Sequence, residues 1–345
     1  MAAVLLGAIV VTGATVRLTS SGLGCPTWPK CTDTSLVAPA RYHALVEFTN
    51  RIITILVGVF VGLVALASLL RAERRADLTW LAWSLVAGFC GQAVIGGLSV
   101  LYRLAPPWVM AHFLLSMLLM WAALVLVHRA NPAWRPTQPK VRRELLLLGR
   151  LLVVVAGCVL ILGTITTGAG PHAGSGAHVQ RLHISLLRIT QLHADSALLL
   201  TGLIVATVVA IRISDAPPTV RRRSYWLVGA VVTQVAIGYT QYFLNLPPSV
   251  VELHVAGATV LWSTTVWLQL GYTAPTRQTG GMAPAPSPAE TAPADGVGAS
   301  ERRAALSLAS PTAAASVGWP KVDTPARPRA VEIEGTPDPG TDQPY

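Results

Sequence analysis

Three histidines and one carboxylate lie in stretches otherwise too apolar to tolerate them: His112, His193, His254 and Glu47. Keeping an ionisable side chain in such a stretch is costly, so each marks a functional site by default. A lone intramembrane histidine is equally well explained by an interhelical hydrogen bond. Two at equal depth on facing helices of one bundle can instead grip a haem iron from both sides. His193 and His254 form such a pair, and an internal repeat puts His112 at the place of His254. Zinc fits less well, because nothing near supplies a third and fourth ligand.

Glu47 opens an apolar run in Val46-Glu47-Phe48-Thr49-Asn50-Arg51, with Arg51 four positions on, on the same helical face. An i,i+4 ion pair would make the carboxylate cheaper to bury. The functional reading is a carboxylate aimed at a ligand at the depth of His112. Asp195 and Glu252 stand two residues from His193 and His254, which turns them off the histidine face toward a supporting or helix-contact role. Cys25 and Cys31 share one loop at a C-x5-C spacing, which suits neither zinc nor a thioredoxin-like site. On the oxidising side of a membrane they are compatible with a disulfide closing a small loop. Cys90 and Cys158 read as small buried apolar residues. His43, His172, His178 and His183 fall in outer loops and read mostly as solvated, with one of them available to touch a propionate, and His128 reads as a flank at the inner edge.

These residues need a membrane scaffold. The 345-residue chain is 52% hydrophobic and 12% charged, about half the charge a soluble protein carries. Apolar runs of helical length fall near 2–16, 45–70, 78–101, 107–127, 144–168, 190–213, 225–244 and 250–272, eight candidate spans. The first run is short and has neither the basic n-region nor the small-residue cleavage site of a secretory signal. The net charge of +10 sits mostly in flanks between runs, with no basic face interleaved with aromatics, so nucleic acid is excluded as a partner and the bilayer takes its place. Lys and Arg concentrate in the loops after spans 2, 4 and 6 (Arg71, Arg74 and Arg75; Arg129 through Arg143; Arg212 with Arg221–Arg223), which makes both termini cytoplasmic. The Ala/Pro-rich tail, residues 273–345, cannot bury enough surface to fold and reads as disordered and cytoplasmic.

A shift of 142 positions lays Gln92 on Gln234, Ile95 on Ile237, Gly96 on Gly238, Leu104 on Leu246, Pro106 on Pro248 and His112 on His254 without a gap. Thr12-Gly13-Ala14 and Thr167-Gly168-Ala169 give a weaker match between helices 1 and 5. The fold class expected is therefore an all-α polytopic membrane protein of eight transmembrane helices. They form two tandem pseudo-symmetric four-helix bundles, residues 1–130 and 144–272, related by an axis along the membrane normal.

On these residues the chain resembles the haem A synthase family. The run Gly13-Ala14-Thr15-Val16-Arg17-Leu18-Thr19-Ser20-Ser21-Gly22-Leu23-Gly24-Cys25-Pro26-Thr27-Trp28-Pro29 is similar to the family's first outer-loop signature. Glu47 and Arg51 match its helix-2 motif, Glu-x-x-His-Arg, and His112, His193 and His254 match three of its four haem histidines. The resemblance covers roughly residues 1–272; the tail has no counterpart.

The resemblance implies a multi-pass cell-membrane oxidoreductase. It would convert haem O to haem A for a terminal oxidase, oxidising the C8 methyl to a formyl group with water as the oxygen source. It implies haem b as cofactor, its iron held by His193 and His254, and the substrate haem O in the N-terminal bundle with His112 as ligand. Glu47 would be the acidic residue of methyl oxidation, Arg51 and Arg17 its support, and Cys25–Cys31 the first-loop disulfide. Haem O synthase, cytochrome c oxidase assembly and an electron acceptor of unassigned identity are the partners implied, and a homo-oligomer is compatible.

One departure matters. Asn50 stands where the motif has its second histidine, a change that resembles an actinobacterial-like subtype. It leaves His112 as the substrate's only histidine, with Asn50, water or nothing opposite. The third outer loop also lacks the cysteine pair some members carry. Two other readings compete: a non-catalytic haem carrier or assembly factor, motivated by Asn50 and opposed by Glu47 and Arg51, and a b-type cytochrome exchanging electrons with quinone, which would favour two complete bis-histidine sites.

Overall fold

The computed structural model describes residues 1–131, 138–139, 141–176 and 179–274. One unit, Met1–Gly280, contains all of them; the tail expected to be disordered lies, past Ala274, outside the described residues. The described residues of this unit form eight helices: α1 (Ala2–Leu18), α2 (Tyr42–Leu69), α3 (Ala76–Leu101), α4 (Pro106–Ala130), α5 (Arg143–Ala169), α6 (Leu186–Ile213), α7 (Pro218–Phe243) and α8 (Pro248–Leu270). Two-residue strands β1 (Gln138–Pro139) and β2 (Thr273–Ala274) pair antiparallel.

Helices α2 to α6 are long and apolar enough to cross a membrane, and α1 is a shorter apolar helix. Their outward faces keep large apolar side chains in the open, with Leu198 72% and Leu199 63% exposed on α6. Water would not leave such a surface bare, whereas lipid requires it. Proline sets the start of α4, α7 and α8, where its fixed φ suits the first turn and its missing N–H costs nothing.

Helix α7 begins about two turns earlier than its apolar run. Arg221–Arg223, expected in a loop, therefore belong to its first turns. Arg223 is held there by α8: its guanidinium stacks over the Trp267 ring at 4.7 Å and donates to the Trp267 carbonyl at 2.5 Å. His43, also expected in a loop, sits in the first turn of α2. Cys90 and Cys158 were expected to be buried and are exposed. They lie on outward faces of α3 and α5, where a thiol behaves as a small apolar group and needs no burial in protein.

Helix α1 packs on α2 and α4, and α3 packs on α2 and α4, which sets α2 and α4 on a diagonal. Among the later helices α5 packs on α6 and α8, and α7 on α6 and α8, which does the same for α6 and α8. Contacts of α8 with α1 and α4, and of α4 with α5, join the two sets. The buried core runs through both, from Leu6, Val57, Val61, Leu85 and Met117 to Leu152, Leu200, Ile204, Leu227 and Val266.

The 142-residue shift recurs in the backbone. Helix α3 ends with Leu104 N–H donating to the Ser99 carbonyl at 2.7 Å and Arg103 N–H to Val100. Helix α7 ends identically, with Leu246 N–H donating to Gln241 at 2.7 Å and Asn245 N–H to Tyr242. This paired 6→1 and 5→2 bonding is the Schellman motif, whose left-handed residue is usually glycine. Here Arg103, Leu104, Asn245 and Leu246 all hold φ between 51° and 61°, a strain of about 1 kcal/mol or more per residue. Its recurrence at corresponding positions makes these two turns the fixed corners from which α4 and α8, and their histidines, depart.

Candidate functional site

His193 on α6 and His254 on α8 face each other across their diagonal, with ring centroids 6.4 Å apart and planes at 75°. Metal–imidazole bonds of about 2 Å would place two rings on one iron about 6 Å apart, centre to centre. The Nδ1 atoms of both rings, and of His112 on α4, are buried and have no hydrogen-bond partner among the described residues. No group of three or more His, Cys, Asp or Glu able to hold a bare metal ion occurs among the described residues. Two facing imidazoles without further ligands suit a haem, whose porphyrin brings four nitrogens of its own.

Each histidine has a glycine against its ring on the neighbouring helix. A Cβ added at Gly96 would lie 3.1 Å from His112 Cε1, at Gly163 3.1 Å from His193 Cε1, and at Gly238 3.3 Å from His254 Cε1. The missing side chain is what lets the Cε1 edge of the imidazole approach the neighbouring helix. Gln92 and Gln234, one turn before two of these glycines, donate from Nε2 to the backbone carbonyls of His112 and His254, both at 3.0 Å. These bonds pin α4 to α3 and α8 to α7 at the level of the rings.

Asn50, on α2, meets a different partner. Its side-chain Oδ1 accepts a 2.8 Å hydrogen bond from the Thr12 hydroxyl of α1.

Glu47 is buried, and both its oxygens are engaged. Arg51 donates to Oε1 at 2.6 Å, and the Cys25 backbone N–H donates to Oε2 at 2.8 Å. Arg51 also donates to the carbonyls of Cys25, Thr27 and Lys30, each at 3.2 Å. Cys25 and Cys31 are joined by a disulfide, their Cα atoms 4.3 Å apart. The carboxylate and guanidinium thus staple the disulfide loop onto α2. Trp28 of that loop packs against α3, where a Cβ on Gly97 would fall 2.6 Å from its ring.

The α1–α2 and α5–α6 loops are knitted together. Arg17 donates through Nε and Nη2 to the His172 carbonyl at 3.0 and 2.9 Å. Gly22 N–H donates to the Gly174 carbonyl at 2.7 Å, and Gly174 holds φ +95°, which excludes other residues. Arg181 donates to the Thr167 carbonyl, and partial burial holds its guanidinium below the ordinary arginine range. His172 bonds the Leu246 carbonyl through Nε2 at 2.8 Å, and His43 bonds Ser21 through Nδ1 at 2.9 Å. His183 is exposed, and His178 lies outside the described residues. Deeper down, the Thr15 hydroxyl donates to Glu252, a helix contact as its offset from His254 suggests, and Trp262 Nε1 donates to the Met117 carbonyl at 2.9 Å.

The structure thus brings together His193 with His254, Glu47 with Arg51 and the disulfide loop, and Arg17 with the α5–α6 loop. Reasoning from sequence missed Thr12, the ring-facing role of Gly96, Gly163 and Gly238, and Arg181. The signal was present for Gly96 and Gly238, which recur at the same distance before His112 and His254.

A sequence model of the COX15-CtaA family, described as cytochrome oxidase assembly protein, matches residues 1–43 and 37–266. The chain is 26% identical to a heme A synthase of Exiguobacterium sibiricum over 157 residues, 43% of this chain and 53% of that protein. It is 32% identical to a heme A synthase of Geobacillus kaustophilus over 75 residues, 22% of this chain and 23% of that protein. The chain therefore spans about half the length of the first relative and about a quarter of the second. Because the family match runs through nearly all of the helical unit, the chain belongs to the cytochrome oxidase assembly protein family.

Proposed function

We propose that this chain is a haem A synthase, a cell-membrane enzyme that oxidises the C8 methyl of haem O to the formyl group of haem A for a terminal oxidase. The carrying observation is the pair of facing imidazoles, His193 and His254, with centroids 6.4 Å apart. On this reading all eight helices span the bilayer as two tandem four-helix bundles with both termini cytoplasmic. The separate packing rings of α1–α4 and α5–α8 and the recurring Schellman turns support that arrangement.

Haem b belongs to the C-terminal bundle, and haem O to the N-terminal bundle with His112 as ligand. A haem b held by His193 and His254 would supply one-electron transfer, passing to an external electron acceptor the four electrons released as methyl and water become formyl. The protein does the rest. Gly163 and Gly238 let the rings lie against their helices, and Gln234 fixes the height of α8. In the N-terminal bundle Gln92 does the same for α4. Glu47 contributes an anionic charge, held by Arg51 and the Cys25 N–H, that stabilises positive charge building on the methyl carbon and orients the attacking water. The loop stapled over α2 excludes bulk water from that bundle. Arg17, at the loop junction, offers its charge to a propionate.

Haem O synthase and cytochrome c oxidase assembly are the upstream and downstream partners this chemistry calls for. The test is expression of the full chain in a host that supplies haem O, followed by haem extraction and mass analysis. Haem A beside haem b is the result expected. Haem O recovered unchanged beside haem b would contradict the enzyme and favour the carrier.

A further inference from the structure

Three of the four diagonal positions in the two bundles carry a histidine against a glycine, and the fourth does not. At a shift of 143 the buried Val57 and Val61 of α2 fall on the buried Leu200 and Ile204 of α6, and Asn50 falls on His193. At the 155-residue shift that relates the two Thr-Gly-Ala sequences, Ala8 of α1 falls on the ring-facing Gly163 of α5. No glycine recess is kept where no imidazole needs one.

What stands there instead is a hydrogen-bonded pair. The Thr12 hydroxyl has two acceptors, the Ile9 carbonyl at 3.3 Å and Asn50 Oδ1 at 2.8 Å, and the shorter bond fixes the amide. With Oδ1 committed to Thr12, Asn50 is left with its NH2 group, which has no hydrogen-bond partner among the described residues. An amide nitrogen donates hydrogen bonds and has no lone pair to give a metal. The amide oxygen, its one atom able to ligate, is turned to α1.

We infer that Asn50, oriented by Thr12, is a hydrogen-bond donor over an open face of the substrate haem rather than an axial ligand. The inference rests on the proposed placement of haem O in the N-terminal bundle. It makes His112 the single protein ligand there and leaves the opposite coordination position to a small exogenous molecule, such as water or a diatomic gas, which the Asn50 amide contacts. Thr12 is a positioning residue: it touches no substrate and acts by selecting which end of the amide faces the site.

The experiment uses the purified full chain carrying haem O, read by EPR of the ferric form and by carbon monoxide binding to the ferrous form. The wild type should show one low-spin haem, on His193 and His254, and one high-spin haem that binds carbon monoxide. Asn50→His combined with Ala8→Gly, which restores the recess, should turn the second haem low-spin and suppress carbon monoxide binding. Asn50→Val should keep it high-spin but release carbon monoxide about tenfold faster, the loss of one hydrogen bond. Thr12→Val should fall between the wild type and Asn50→Val. A wild type with both haems low-spin and closed to carbon monoxide would overturn this inference alone. A His112→Ala variant that retained both haems unchanged would overturn the placement of the substrate, and this inference with it.

Discussion

The imidazole of His193 stands edge-to-face with that of His254, ring centroids 6.4 Å apart, although the two residues lie on diagonal helices with no direct hydrogen bond between their rings. Rings that merely packed edge to face could stand at this distance too, but they would not leave both Nδ1 atoms buried and without a partner among the described residues. The gap has the width of a metal and its two bonds.

Replacing either histidine with alanine should therefore remove one axial ligand and abolish the low-spin six-coordinate signature in absorption and EPR spectra. Folding should survive, because most of the packing of α6 and α8 lies deeper, around Ile204 and Val266. An unchanged low-spin spectrum in either variant would refute the ligand assignment.

Gly163→Ala and Gly238→Ala set two effects against each other. Helix propensity favours alanine by about 0.5–1 kcal/mol. The new methyl, however, would sit 3.1 Å from His193 Cε1 or 3.3 Å from His254 Cε1, inside ordinary van der Waals contact, and push the ring toward the iron or twist it. Both variants should be at least as stable to heat without haem, yet show a displaced low-spin EPR signal and weaker haem retention. Wild-type spectra in both would mean that the glycines do not set the ring orientation.

The sequence carried the helices, the diagonal histidines and the duplication because each is written in a repeating pattern: apolar length, or identity at a fixed shift. Gln92 and Gln234 were legible as repeat markers, but not as donors to the histidine carbonyls, since a glutamine's reach depends on the neighbouring helix. Thr12 was not legible as a partner of Asn50. The two are 38 residues apart and meet only because α1 and α2 pack side by side. The start of α7 was misjudged because Arg221–Arg223 look like loop residues until Trp267 provides a ring and a carbonyl for Arg223.

Glu47→Gln separates chemistry from architecture. Glutamine keeps an oxygen for the Cys25 N–H or for Arg51 but removes the charge that both bonds now share. The variant should fold, keep its Cys25–Cys31 disulfide and its haem b, and accumulate haem O or a partly oxidised intermediate. Arg51→Gln removes the bonds to the Cys25, Thr27 and Lys30 carbonyls, and should loosen the loop, seen as faster reduction of the disulfide. If Glu47 serves only to hold the loop, its variant will behave like Arg51→Gln and yield haem A at the normal rate per folded molecule. That outcome would remove Glu47 from the chemistry.

The most direct measurement is a time course on the purified full chain loaded with haem O and given a chemical electron acceptor, the haem being extracted and weighed by mass spectrometry at each point. The account predicts that haem O declines and haem A rises in step, while the low-spin haem b on His193 and His254 stays constant in amount. Haem O that persists unchanged beside intact, redox-active haem b would contradict it.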